Sequence, residues 1–148
     1  MTQLTLARLA HLDRVLRLLG DSHRERAIAR DEAARRAALL PLLDGSPHGA
    51  VYLAGPERAP IGHVIIGFGW SVAGGGLSGV IDDIYLRPAV RGRGIGTELL
   101  QNLPKSLARA GLATIRIEME SDDARTRRLC EKAGLRPCAG QLRMMRRM

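Results

Sequence analysis

Three glycines at alternate positions, Gly92, Gly94 and Gly96, stand between the apolar run SGVIDDIYL and a stretch where Ile95, Leu99, Leu100, Leu103 and Leu107 recur at helical spacing. No other feature constrains the fold as tightly. A strand that ends in a glycine-rich loop and feeds straight into a helix leaves backbone amides uncovered, and the first helical turn adds partial positive charge. Glycine lets the chain approach a phosphate closely, while Arg91 and Arg93 supply cationic donors. The segment VRGRGIGTELL therefore predicts a pyrophosphate cradle. It is neither the GxxxxGK[ST] loop of nucleoside triphosphatases nor the GxGxxG turn of dinucleotide-binding domains, because its third glycine comes one position early.

The rest of the chain frames this segment with alternating elements. LTLARLA alternates like a short strand, and Leu12, Val15, Leu16 and Leu19 then recur at helical spacing before Gly20, a plausible stop. A second helix is expected over Asp31 to Leu43, with Asp31 as its cap. AVYLA, IGHVIIGFGW and SGVIDDIYL read as three successive strands joined by the turns GPERAP and Gly74-Gly75-Gly76. Pro104 should kink or shorten the helix after the cradle. LATIRIEME reads as a strand, Asp122 to Ala133 as a helix closed by Gly134, and LRPCA and QLRMMRRM as two further strands. The predicted order is β-α-α-β-β-β-α-β-α-β-β, an α/β (α+β) fold.

A length of 148 residues with 45% apolar side chains suits a single domain spanning residues 1–148. No apolar run is long enough for a membrane span and no secretory signal is readable, which makes the cytoplasm the expected compartment. Cys130 and Cys138 lie eight positions apart without a CxxC pattern or a neighbouring His, so neither a metal site nor a disulfide framework is expected. The net charge of +8 is spread over the chain rather than gathered in one arm, and Arg outnumbers Lys 21 to 2. With one Trp, two Tyr and one Phe to stack on bases, the composition argues against nucleic acid as partner.

The run IDDIYLRP followed by R-x-x-G-x-G, here Arg91, Gly94 and Gly96, resembles the GNAT superfamily of acyl-CoA-dependent N-acyltransferases. The resemblance implies a mixed central sheet of about seven strands, splayed at the CoA site and flanked by about four helices. It implies acetyl-CoA as cosubstrate. The CoA diphosphate would lie on the amides of Arg91, Gly92, Arg93, Gly94, Ile95, Gly96 and Thr97, and the pantetheine would pair with the edge of a strand opened by a bulge, along Ile84, Tyr85 and Leu86. A backbone amide at Ile84 would stabilise the oxyanion. Relatives often pair through their C-terminal strands, which makes a homodimer compatible with the family. A second family signature falls on Asp123, Thr126, Leu129, Cys130, Gly134 and Leu135, with Cys130 where many relatives carry a tyrosine acid. The thiol would either protonate the departing thiolate over a shorter reach or pack as a small buried hydrophobe beside Leu129 and Ala133.

Strand alternation puts Val80, Asp82, Ile84 and Leu86 on one face and Ile81, Asp83 and Tyr85 on the other. Asp82 shares the parity of Ile84 and is the candidate base, with a structural pairing to an arginine such as Arg116 as the competing role for either carboxylate. Asp82 and Asp83 together favour a cationic primary amine, and the central motif is most like polyamine-type relatives. Trp70 is a candidate aromatic wall for that amine, and His63 is read as a strand-face residue rather than a base. The expected activity is transfer of an acetyl group to a primary amine of a small molecule or peptide by direct attack in a ternary complex. The competing reading is a catalytically weak acyl-CoA sensor.

Overall fold

The computed structural model describes all 148 residues. Five strands, β1 (Leu4–Leu6), β2 (Gly49–Ala54), β3 (Gly62–Ser71), β4 (Gly76–Leu86) and β5 (Leu112–Ile117), form one sheet in sequential order. The first four pair antiparallel, whereas β5 runs parallel to β4 and is reached through the helix α3 (Ile95–Ala108). Helices α1 (Leu12–Glu25) and α2 (Glu32–Leu43) close a core on one face with Val51, Leu53 and Ile65. On the other face α3 and α4 (Ala124–Lys132) bury Leu99, Leu100, Leu103 and Cys130 against Val64, Ile66 and Ile81. No helix is long and apolar enough to cross a membrane.

The arrangement is the expected mixed α/β fold with four helices, but the sheet has five strands rather than about seven. LRPCA and QLRMMRRM form no strand, and Leu142, Met144 and Met145 in the second of them stand exposed. Alternation marks a residue's face but supplies no partner strand, and nothing in the sheet pairs with these segments.

Local chemistry sets the helix boundaries. Asp31 accepts from the Ala34 amide at 2.8 Å to start α2, and Asp123 accepts from Thr126 at 3.0 Å to start α4. Gly134, at φ 97°, closes α4 in the left-handed conformation. Gly20 does not stop α1, which continues to Glu25. Leu18, Leu19 and Ser22 are buried on its inner face and hold the turns after Gly20 in the core. Pro104 likewise does not cut α3 short, because Leu103 and Leu107 hold the last turns in the core.

One irregularity reorganises β4. Asp83 faces Ile65 and Ile81 faces Ile66, so Asp82 has no partner on β3 and forms a β-bulge. The bulge reverses the strand's parity. Ile81 joins the α3-side core with Ile84 and Leu86, while Asp83 and Tyr85 turn to the α1 side, so the simple alternation predicted for this strand does not hold across Asp82. Without the extra residue, the register that buries Ile81 under α3 would drive the Asp83 carboxylate into the same apolar layer.

Candidate active site

β4 and β5 pair from Leu77 to Ile81, beyond which β4 runs on to Leu86 alone. A gap opens along its outer edge. The Arg87 amide donates to the Ile61 carbonyl at 2.8 Å, one step past the Leu86–Gly62 pair. Bonded and non-bonded pairs alternate in an antiparallel ladder, so Asp83 and Tyr85 direct their amides to β3 while Ile84 and Leu86 present theirs to the gap. Tyr85 was expected along the cofactor with its two neighbours. Its backbone instead belongs to the β3 ladder, and its ring is buried toward α1, 5.5 Å below the Arg91 guanidinium.

The loop after β4 leads from the gap to the first turn of α3. The amides of Gly92, Arg93, Gly94, Ile95, Gly96 and Thr97 donate to no protein acceptor, and all six lie at or just before a helix of 14 residues. Gly92 and Gly94 sit in the left-handed region at φ 76° and 80°, with open space where a side chain would be. Gly96 serves packing: a Cβ there would come within 2.8 Å of Leu129. Arg93 is exposed and forms no ion pair. Arg91 departs from its expected role in the cradle. Its amide donates to the Pro88 carbonyl, Nε donates to the Leu86 carbonyl at 2.9 Å, and Nη2 bonds Glu25 at 2.7 Å. The same Glu25 binds Arg125, whose Nη2 lies 2.5 Å away, so this acid ties α1 to the loop and to α4.

On the opposite side of β4 the two aspartates separate. Asp83 is 3% exposed and accepts from Ser22 Oγ at 2.9 Å, from His63 Nε2 at 2.5 Å and from Arg26. Burial pushes its carboxyl up, but these bonds and the Arg26 charge outweigh that and hold it below the ordinary range. Asp83 is therefore not a substrate contact as expected, since both oxygens are already occupied inside the protein. Its arginine is Arg26 rather than Arg116. His63, fully buried on the strand face, is the second partner.

Asp82 is exposed and lines a cavity of about 270 Å³ bounded by the end of α1, the α1–α2 loop and α2. His23, Arg26, Arg30 and Arg35 line the same cavity. Sequence reasoning gave His23 no role and passed over the three arginines. Their signal was the dense run RERAIARDEAARR, but only the packing of α2 on α1 brings Arg35 back beside His23 and Asp82. Trp70 lies elsewhere, opposite Leu77 at the hairpin end of β3, where it is 75% exposed and borders a shallow depression with Arg116. Cys130 is buried among the leucines of α3, and burial pushes its thiol up.

Residues 12–135 match the model of the acetyltransferase (GNAT) family. No curated sequence matches the chain. Among solved structures, an integron cassette protein from the mobile metagenome of Cole Harbour Salt Marsh is 23% identical and superposes with a TM-score of 0.85, over 99% of this chain and 90% of its own. A predicted acetyltransferase from Clostridium acetobutylicum, seen with acetyl-CoA, is 16% identical at TM-score 0.80, over 98% and 96% of the two chains. The aminoglycoside N-acetyltransferase AAC(6')-Iy, seen with CoA, is 14% identical at TM-score 0.84, over 100% of this chain and 96% of its own.

Proposed function

We propose, for a chain that belongs to the acetyltransferase (GNAT) family and is an N-acetyltransferase, that it carries an acetyl group from acetyl-CoA to a primary amine of a small molecule or peptide by direct attack in a ternary complex. The observation that carries this reading is the row of six unpartnered amides from Gly92 to Thr97 at the mouth of the gap beside β4. That row fits a diphosphate, and the free edge at Ile84 and Leu86 fits an extended chain bearing amide groups. When bound, acetyl-CoA supplies an activated thioester whose C–S bond breaks as the C–N bond to the amine forms, the electron pair leaving on sulfur, which takes up the second proton released by the amine nitrogen.

The chain's own residues then have distinct tasks. The Ile84 amide, fixed by the ladder on its other side, donates to the carbonyl oxygen as negative charge builds there. Asp82 takes the proton that the ammonium must lose to become a nucleophile, directly or through water. Its place on the bulge puts the carboxylate on the cavity side of the strand whose other edge holds the acyl donor. Cys130 remains a packing residue in this scheme.

Thiol release from acetyl-CoA, followed over a panel of primary amines, tests the reading. Amine-dependent turnover supports it. Tight acetyl-CoA binding without release for any amine would favour the acyl-CoA sensor and overturn it.

A further inference from the structure

The cavity at Asp82 carries a charge pattern opposite to the one its aspartates suggest from sequence. Only Asp82 of the pair reaches it. Arg26 is neutralised by Asp83 beneath, and His23 is the remaining titratable group on its wall. Arg30 is exposed and forms no ion pair with any acid. Arg35 bonds only the Arg30 carbonyl, and its Nε is buried without an acceptor, as is Nδ1 of His23. Buried guanidinium N–H groups without partners are costly, and an anion is the group that would satisfy them. The surplus is two arginines against one aspartate.

We propose that the acceptor is a zwitterionic amine, whose amino group meets Asp82 while a carboxylate or phosphate on the same molecule meets Arg30 and Arg35. The proposal rests on the acetyltransferase reading only in taking Asp82 as the place where the amine arrives. It replaces the cationic polyamine expected from sequence, because the second ammonium of a diamine would lie among the arginines. A cavity of about 270 Å³ holds a molecule of amino-acid size.

Straight-chain ω-amino carboxylates and ω-amino phosphonates, the corresponding neutral amides, and diamines of the same lengths provide the test. The expected result is a kcat/KM at least about tenfold higher for an anionic acceptor than for its amide, with diamines poorest. Arg30→Gln and Arg35→Gln, made separately, should each move that ratio toward one by raising KM for the anionic acceptor, while Arg58→Gln, a change of equal charge on the exposed β2–β3 turn outside the cavity lining, leaves the ratio alone. The relative response to carboxylates and phosphonates identifies which anion the arginines take. Diamines turning over best, or a ratio unchanged in both cavity variants, would overturn the proposal and leave the acetyltransferase intact. Calorimetry with the amino carboxylates and amino phosphonates in the presence of CoA separates the other case. Binding that weakens in Arg30→Gln without any turnover would sustain the acceptor class and remove the catalytic reading, whereas absence of both binding and turnover would overturn the acceptor class as well.

Discussion

Asp82 and Asp83 are chemically identical neighbours with separate tasks, and the separation is testable residue by residue. Asp82→Asn should lower kcat by about 10² to 10⁴ with little change in acetyl-CoA affinity, because it would remove the proposed proton acceptor and touches no part of the proposed cradle. Near-normal turnover at neutral pH would refute that role. Asp83→Ala should instead act on stability, by about 3–5 kcal/mol, since it strands His63 and Ser22 in the core and unpairs Arg26. Asp83→Asn should cost less, its amide oxygen still accepting one of these bonds, and a denaturant midpoint reads both. Cys130→Ala should cost about 1–2 kcal/mol for the small cavity left among the α3 leucines, with kcat nearly unchanged. A large loss of kcat in a stably folded Cys130→Ala protein would make the thiol the proton donor to the leaving group.

At the scale of elements, the cradle's glycines divide by mechanism. Gly94→Ala meets no neighbour but forces a side chain into the left-handed region, which turns the amide row, so acetyl-CoA affinity should fall about tenfold, or about 1.4 kcal/mol, with the fold retained. Gly96→Val drives its side chain into Leu129 and should disturb the α3–α4 packing before any effect on binding can be read. Leu129→Ala in the same chain should recover part of that stability. Calorimetry on Gly94→Ala and thermal melts on the Gly96 and Leu129 series check the division, and unchanged acetyl-CoA binding in Gly94→Ala would remove the backbone from the cradle. The sequence placed Gly92 and Gly94 between a strand and a helix correctly, whereas Gly96 is already the second residue of α3. The sequence did not reveal that Gly96 faces α4, because contacts between α3 and α4 depend on how two helices far apart in sequence pack on one sheet face.

The whole molecule should lose stability toward acid in two steps. His23, kept below its ordinary range mainly by burial, is protonated more readily in the unfolded chain, so stability begins to decline as pH falls below about 6.5. The carboxyls of Asp83 and Glu25 are also held low, Asp83 against the upward push of burial and Glu25 chiefly by its bond to Arg91. Their contribution is complete above the ordinary carboxylate value of about 4 and is lost as pH falls through the lower folded values. Urea midpoints measured from pH 7 to pH 3 should show a shallow decline and then a steep one, and His23→Asn should flatten the first. A midpoint constant down to pH 3 would show that the buried network around Asp83 does not couple to folding.

The order of strands and helices through α4, the Asp31 cap of α2, the Gly134 stop of α4, the glycine-rich turn and the family resemblance were legible in the sequence alone, because each rests on residues close together in the chain. A bulge in this strand came only with the family resemblance, and its position at Asp82 was not readable, since a bulge is a mismatch of register between two strands and has no local signature beyond the residues themselves. From that one inserted position follow the inward turn of Asp83 to His63, Ser22 and Arg26 and the exposure of Asp82 to the cavity. The engagement of Arg91 by Glu25 and the gathering of Arg30, Arg35 and His23 around Asp82 also arise from the tertiary structure. Charge and hydrogen-bond partners act through space, at distances that α1, α2 and β4 acquire only by packing against one another.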